Sequence, residues 1–207
     1  MMVRVAALGE SRVGKTALLE QFVHGTCPTL HRPTVVNRSL CCTVVRGDRV
    51  YELQCNDLPP MYQLPLDSLD EWDYCAGFTF RTVDVYLLVF DCSRPDTFET
   101  VEQLYVQLRR SRPMAPVVVV AAKCDLLRRP PGGGRSINPY ERLVRKKWKR
   151  PFVECSAKHN CKVSAVFQEL MNSVEQSSSE TNGRKGQRQD TKGSNRQSRS
   201  SPRCVIQ

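Results

Sequence analysis

The chain has 207 residues, enough for one domain core and few for two, with 40% hydrophobic and 25% charged residues and a net charge of +10. No stretch approaches the roughly 20 consecutive apolar residues of a membrane span, and Met1-Met2-Val3-Arg4 lacks the charged-then-apolar layout of a secretory signal. A cytosolic origin is expected, and nearly all of the ten cysteines, with no C-x-x-C pair among them, read as reduced filler rather than disulfides or zinc ligands. Short apolar runs alternate with helical patterns, the layout of a mostly parallel sheet covered on both faces. Strand 2–8 leads through a glycine-bearing loop into a helix over 15–24. Strands 39–46 and 49–55 are joined by Gly47-Asp48 and so form an antiparallel hairpin. A weaker helix near 67–76 is followed by strand 84–90, helix 95–111, strand 116–122, helix 138–148, strand 152–154 and helix 161–175. Tyr86-Leu87-Leu88-Val89-Phe90 and the run Val117 to Ala122 are apolar throughout, as central strands buried on both faces require. Arg128 to Arg135 is rich in Pro and Gly and reads as a surface excursion.

The loop after the first strand, Gly9-Glu10-Ser11-Arg12-Val13-Gly14-Lys15-Thr16, is a complete G-x-x-x-x-G-K-[ST] phosphate-binding sequence, with Ala17 opening the helix. Its two glycines let the backbone curl until N–H groups point inward at phosphate oxygens. Lys15 can reach the β and γ phosphates, and the Thr16 hydroxyl can ligate Mg²⁺. The phosphates then sit on a helix N-terminus. The chain is therefore expected to bind a nucleoside phosphate.

Four further segments follow in order: His31-Arg32-Pro33-Thr34, Asp57-Leu58-Pro59-Pro60, Ala122-Lys123-Cys124-Asp125 and Glu154-Cys155-Ser156-Ala157-Lys158. Together with the phosphate loop they resemble the Ras-like small GTPases, in register over about residues 3–175. The D-x-P-P sequence and the segment ending in Glu71-Trp72 look most like an atypical subgroup of that family. The resemblance implies a P-loop NTPase α/β fold, with a six-stranded, mostly parallel sheet, one antiparallel hairpin and about five helices. It implies GTP and GDP as ligands and Mg²⁺ as cofactor. Lys15 and Thr34 would be catalytic, Thr16, Thr34 and Asp57 would hold the metal, and Lys123, Asp125, Ser156, Ala157 and Lys158 would surround the base. Asp125 would accept from the N1–H and amino group of guanine, a pattern adenine cannot match, and the Ala157 N–H would meet the base oxygen. Singly, Thr34 reads as a loop threonine, and Asp57 and Asp125 as turn aspartates; their order in the series reverses that reading.

The departures from the family are equally specific. Pro60 stands where a glycine donates its N–H to the γ phosphate, and proline has no N–H to donate. Met61 replaces the glutamine that orients the attacking water. Ala122 replaces the asparagine of N-K-x-D, and Cys27 lies near the place of an aromatic that covers guanine. Ser11 and Arg12 occupy small-residue positions of the phosphate loop; Arg12 turns to solvent, or alternatively serves as an internal cationic finger.

The domain is expected to span 1–176 and to carry a disordered basic tail over 177–207. The tail has seven cations, Arg184, Lys185, Arg188, Lys192, Arg196, Arg199 and Arg203, against Glu180 and Asp190. It ends in Cys204-Val205-Ile206-Gln207, a C-a-a-X sequence whose terminal glutamine favours farnesyl. One prenyl chain anchors weakly, and the basic tail supplies the second signal toward anionic headgroups. The expected location is the cytoplasmic face of the cell membrane. A solvated linker or a nuclear or nucleic-acid patch is the alternative, although no specific nucleic acid is expected. A second basic cluster, Arg142, Arg145, Lys146, Lys147, Lys149 and Arg150 around Trp148, is by default a solvated helix face and more sharply a membrane- or partner-facing patch. Two functional readings stand: a monomeric, membrane-attached GTPase switch with slow hydrolysis that meets effector proteins through its switch regions, and a pseudo-GTPase interaction module with little or none.

Overall fold

The computed structural model describes residues 1–30, 32–65, 80–127 and 138–190, with side chains through Ser179. Six strands form one sheet in the order β2-β3-β1-β4-β5-β6. They are β1 (Met2–Leu8), β2 (Arg38–Arg46), β3 (Arg49–Asp57), β4 (Val85–Asp91), β5 (Val117–Ala122) and β6 (Phe152–Glu154). Only β2 and β3 pair antiparallel, in register Arg46↔Arg49 across the Gly47-Asp48 turn, where Gly47 takes φ +56. β1 lies between β3 and β4, so its C-terminal end opens at the middle of the sheet.

Strict alternation along the central strands builds two cores. Val3, Val5, Ala7, Val85, Leu87, Val89, Val118 and Val120 face one side, where they meet α1 (Lys15–His24) and the C-terminal helix. Ala6, Leu8, Tyr86, Leu88, Phe90, Val117 and Val119 face the other, against α2 (Asp96–Ser111) and α3 (139–148). A strand flanked by helices on both faces has no polar side to offer, hence the continuous apolar runs of β4 and β5. Acids in the first turn of α2, Asp96 and Glu99, and Arg109 and Arg110 in its last turn complement the helix dipole. α3 starts as α-helix at Pro139–Arg142, with Asn138 capping Tyr140 N–H, and continues as π-helix over Leu143–Trp148 until Lys149 turns left-handed at φ 54.

α4 (Val163–Asp190) continues past residue 176, where the domain end is expected. A helix already nucleated by a packed face extends without a new nucleation cost, and Ser177, Ser178 and Ser179 return their hydroxyls to carbonyls one turn back. Four helices are present among the described residues, where about five were expected. The helix near 67–76, Glu71-Trp72, the 128–135 loop and the C-a-a-X end lie outside the described residues. All eight described cysteines are free thiols. Burial pushes that of Cys55 up to about 12, which suits packing rather than reactivity.

Candidate nucleotide-binding site

The phosphate loop follows directly from β1, and its backbone is what the glycines permit. Gly9 has φ +143, and a Cβ there would lie 2.2 Å from the Val89 carbonyl oxygen. Gly14 has φ +106 at the start of α1. Arg12 adopts φ 63 and is exposed, so its side chain faces solvent rather than the loop interior. Lys15 is buried and folds back over the loop, donating from Nζ to the Gly9 carbonyl at 2.9 Å and the Glu10 carbonyl at 2.8 Å. Burial lowers its pKa to about 8, with Asp57 and Glu10 acting in the opposite sense. An ammonium held only by neutral carbonyls is suited to exchanging them for phosphate oxygens.

Thr16, Thr34 and Asp57 come from three different segments and meet at one point. Thr16 Oγ1 donates to Asp57 Oδ2 at 2.7 Å, Thr34 Oγ1 donates to the same oxygen at 3.2 Å, and the two hydroxyls are 3.1 Å apart. Asp57 Oδ1 is buried and, among the described residues, has no hydrogen-bond partner. Desolvation raises the Asp57 pKa, against the pull of Thr16, Lys15 and Thr34. An orphaned carboxylate oxygen beside two hydroxyls fits a small hard cation that takes its remaining ligands from water and phosphate. No group of three or more His, Cys, Asp or Glu residues that could hold a metal ion occurs among the described residues.

The base side is assembled from the C-terminal ends of β5 and β6. Lys123 is left-handed at φ 60 and donates from Nζ to the Arg12 carbonyl at 2.5 Å and to Asp91 Oδ2 at 2.7 Å. Asp125 is exposed on the turn that follows, and the Cys124 N–H donates to the Cys155 carbonyl at 3.1 Å, joining this turn to the Ser156-Ala157-Lys158 loop. That loop closes on itself: Ser156 and Cys161 exchange backbone bonds, and Ser156 Oγ accepts from His159 N at 3.3 Å. Partial burial raises the Cys27 pKa, Asp125 and Glu20 push it further, and Lys158 opposes them. Asp125 and Lys158, both assigned to the base, are thus within electrostatic reach of Cys27.

Sequence reading missed a latch under the loop. Burial favours the neutral form of Asp91, but Lys123 and Ser93 outweigh it and hold the carboxyl below the usual range. Arg94, 3.5 Å from the same carboxylate, donates to the Ser11 carbonyl at 3.2 Å, and Thr100 donates to Glu10 Oε1 at 2.5 Å. The available signal was a lone acid ending an otherwise apolar strand. At the second switch, Met61 is 6% exposed and packs with Leu58, Leu64 and Phe80, while its N–H donates to the Gly9 carbonyl at 3.3 Å. Leu64 N–H is held by Gln107 Oε1 at 2.7 Å.

The sheet order, the loop after β1 and the motifs at the ends of β3, β5 and β6 define a Ras-like small GTPase domain. Known proteins agree: the sequence model described as the Ras family matches residues 4–176, and the chain belongs to that family. Ras-like protein family member 10B of Homo sapiens is 37% identical over 177 residues, covering 83% of this chain and 85% of that protein. Ras-like protein family member 10A of Mus musculus is 35% identical over 175 residues, covering 82% and 84%. GTP-binding protein Di-Ras1 of Homo sapiens is 31% identical over 173 residues, covering 81% and 79%.

Proposed function

We propose that the protein is a monomeric GTP-binding switch with slow intrinsic hydrolysis, held at the cytoplasmic face of the cell membrane by a farnesyl group on Cys204 and its basic tail. The observation that carries the slow rate is the burial of Met61 in the core. A thioether packed among Leu58, Leu64 and Phe80 neither reaches nor orients a water, and the adjacent Pro60 has no N–H for the γ phosphate. Binding itself rests on the loop: Lys15 trades its bonds to the Gly9 and Glu10 carbonyls for phosphate oxygens, and Asp125 selects guanine. Thr16, Thr34 and Asp57 would hold Mg²⁺, which neutralises charge on the β and γ phosphate oxygens when bound. Loss of the γ phosphate leaves Thr34 nothing to sense, and the loop carrying it is the surface offered to effector proteins. A partly nuclear population is compatible with the tail.

Single-turnover GTP hydrolysis tests this reading, with the Pro60→Gly, Met61→Gln double variant expected to gain on the order of ten-fold over a slow wild type. Rapid wild-type hydrolysis overturns it. Binding of GTP with no measurable hydrolysis favours the second reading, a pseudo-GTPase interaction module, which the burial of Met61 also supports. ATP displacing bound nucleotide as well as GTP would sink the guanine assignment. In cells, a fluorescent fusion carrying Cys204→Ser should leave the membrane; unchanged localisation counts against prenylation.

A further inference from the structure

β1, β4, β5 and β6 run parallel, so their C-terminal ends carry the phosphate loop and base residues, and their starts form the opposite pole. α2 and α3 both end at that second pole, just before β5 and β6. Their ends are locked together: the Tyr105 and Trp148 rings stack with centroids 4.1 Å apart, and the Tyr105 hydroxyl donates to the Trp148 carbonyl at 3.3 Å. Arg109 lies over the Tyr105 ring, 5.4 Å from its centroid, and donates to the Pro113 and Ala115 carbonyls. Arg150, the residue before Pro151 and β6, approaches the same place. Burial disfavours the charged form of Arg109, and the charge of Arg150 adds to that effect.

Both guanidiniums keep a buried Nε that has no hydrogen-bond partner among the described residues. Two like charges within electrostatic reach of each other, each with an unmet donor, are an unfavourable arrangement that an anion converts into a favourable one. Arg110, Lys147 and Lys149, within three residues of the pair along the chain, are exposed and form no ion pair among the described residues. The C-terminal helix reaches the same pole: Tyr51, near the start of β3, donates to Glu175 Oε1 at 3.0 Å, and Arg46 beside the hairpin turn donates to Asn172. Trp148 and Tyr105 are spent on each other and offer no open face on which a nucleic-acid base could stack.

We propose that Arg109 and Arg150 form a phosphate-binding subsite for phosphorylated inositol lipid headgroups, which sets the pole opposite the nucleotide against the membrane. This deepens the membrane reading above and rests on it, but it concerns headgroup recognition and not the farnesyl chain. The test uses the full chain with Cys204→Ser, so that prenylation plays no part, and vesicles of phosphatidylcholine doped either with phosphatidylinositol bisphosphate or with charge-matched phosphatidylserine. Wild-type residues at the pole should prefer the inositol lipid, and soluble inositol trisphosphate should compete. Arg150→Gln should weaken binding roughly five-fold and erase the preference, whereas Arg150→Lys should keep affinity for phosphatidylserine while losing the preference. Relief of the repulsion should hold or raise the melting temperature of Arg150→Gln. Should that variant misfold, Lys147→Gln with Lys149→Gln, both exposed, should weaken vesicle binding by a similar factor. An undiminished preference in the variants, equal binding to both vesicle types, or binding of soluble inositol trisphosphate without vesicle binding overturns the proposal. Arginine-dependent binding of an RNA with equal affinity would do the same.

Discussion

The two halves of the nucleotide site are built to different standards. On the phosphate side, Lys15 is bonded to Gly9, and Thr16, Thr34 and Asp57 to one another, at distances from 2.7 to 3.2 Å. On the base side stand an exposed Asp125 and a partly exposed thiol at Cys27, and beside the loop Met61 is buried. On the proposed reading the difference teaches that affinity would come from charge on the phosphates and Mg²⁺, while base recognition and turnover would draw on weaker groups. Pyrophosphate should accordingly retain more of the affinity of GDP than guanosine does.

The largest effect should come from breaking the strong half. In Gly9→Ala the new Cβ meets the Val89 carbonyl, a backbone atom that cannot swing away, at a φ that L residues rarely adopt. Overpacking and backbone strain together should cost about 3 kcal/mol or more, read as a lowered melting temperature together with lost GDP binding. A variant that melts and binds like wild type would show that the loop relaxes freely, and the comparison between the halves would lose its basis.

A smaller effect tests the latch between the halves. Asp91→Asn leaves Lys123 without its carboxylate and weakens the hold on the Arg12 carbonyl, at a cost of about 1–2 kcal/mol. The native pKa of Asp91 is depressed, so its stabilisation is complete above the unfolded value and is lost as pH falls through the native one. Urea unfolding from pH 7 down to about pH 3 should therefore show a shallower acid-side loss in the variant than in wild type. Parallel pH profiles would remove Asp91 from the latch.

What was legible beforehand divides along the same line. Alternating apolar runs identify the sheet and both cores because burial on two faces leaves a period-independent pattern, and the phosphate loop is visible because its chemistry needs fixed residues at fixed spacing. The Asp91 latch was hidden because each of its members, Asp91, Arg94, Lys123 and Thr100, is ordinary in its own segment and gains meaning only when the sheet brings the segments together. The helical course of 177–190 was hidden for another reason: composition reports a lack of apolar residues, whereas a helix propagating from a packed turn needs none. Met61 was read from its chemistry as unable to orient water, and nothing in its neighbours along the chain shows that the core takes it in.

The smallest effect should come from mending the weak half. Cys27 is partly exposed, with Asp125, Glu20 and Lys158 in electrostatic reach, so on the proposed reading an aromatic there would cover a base that Asp125 would hold by its edge. Cys27→Phe should add on the order of 1 kcal/mol, about five-fold tighter GDP binding, and leave pyrophosphate affinity unchanged. Because every base offers a ring face, stacking alone would improve ADP as much as GDP; a gain confined to GDP requires that Asp125 already reads the base edge. Repeating the titration in Asp125→Ala separates the two, since the phenylalanine should then help both nucleotides equally. If Cys27→Phe improves pyrophosphate binding as well, its benefit lies in stiffening the domain, and the base half of the site is not where this chain is weak.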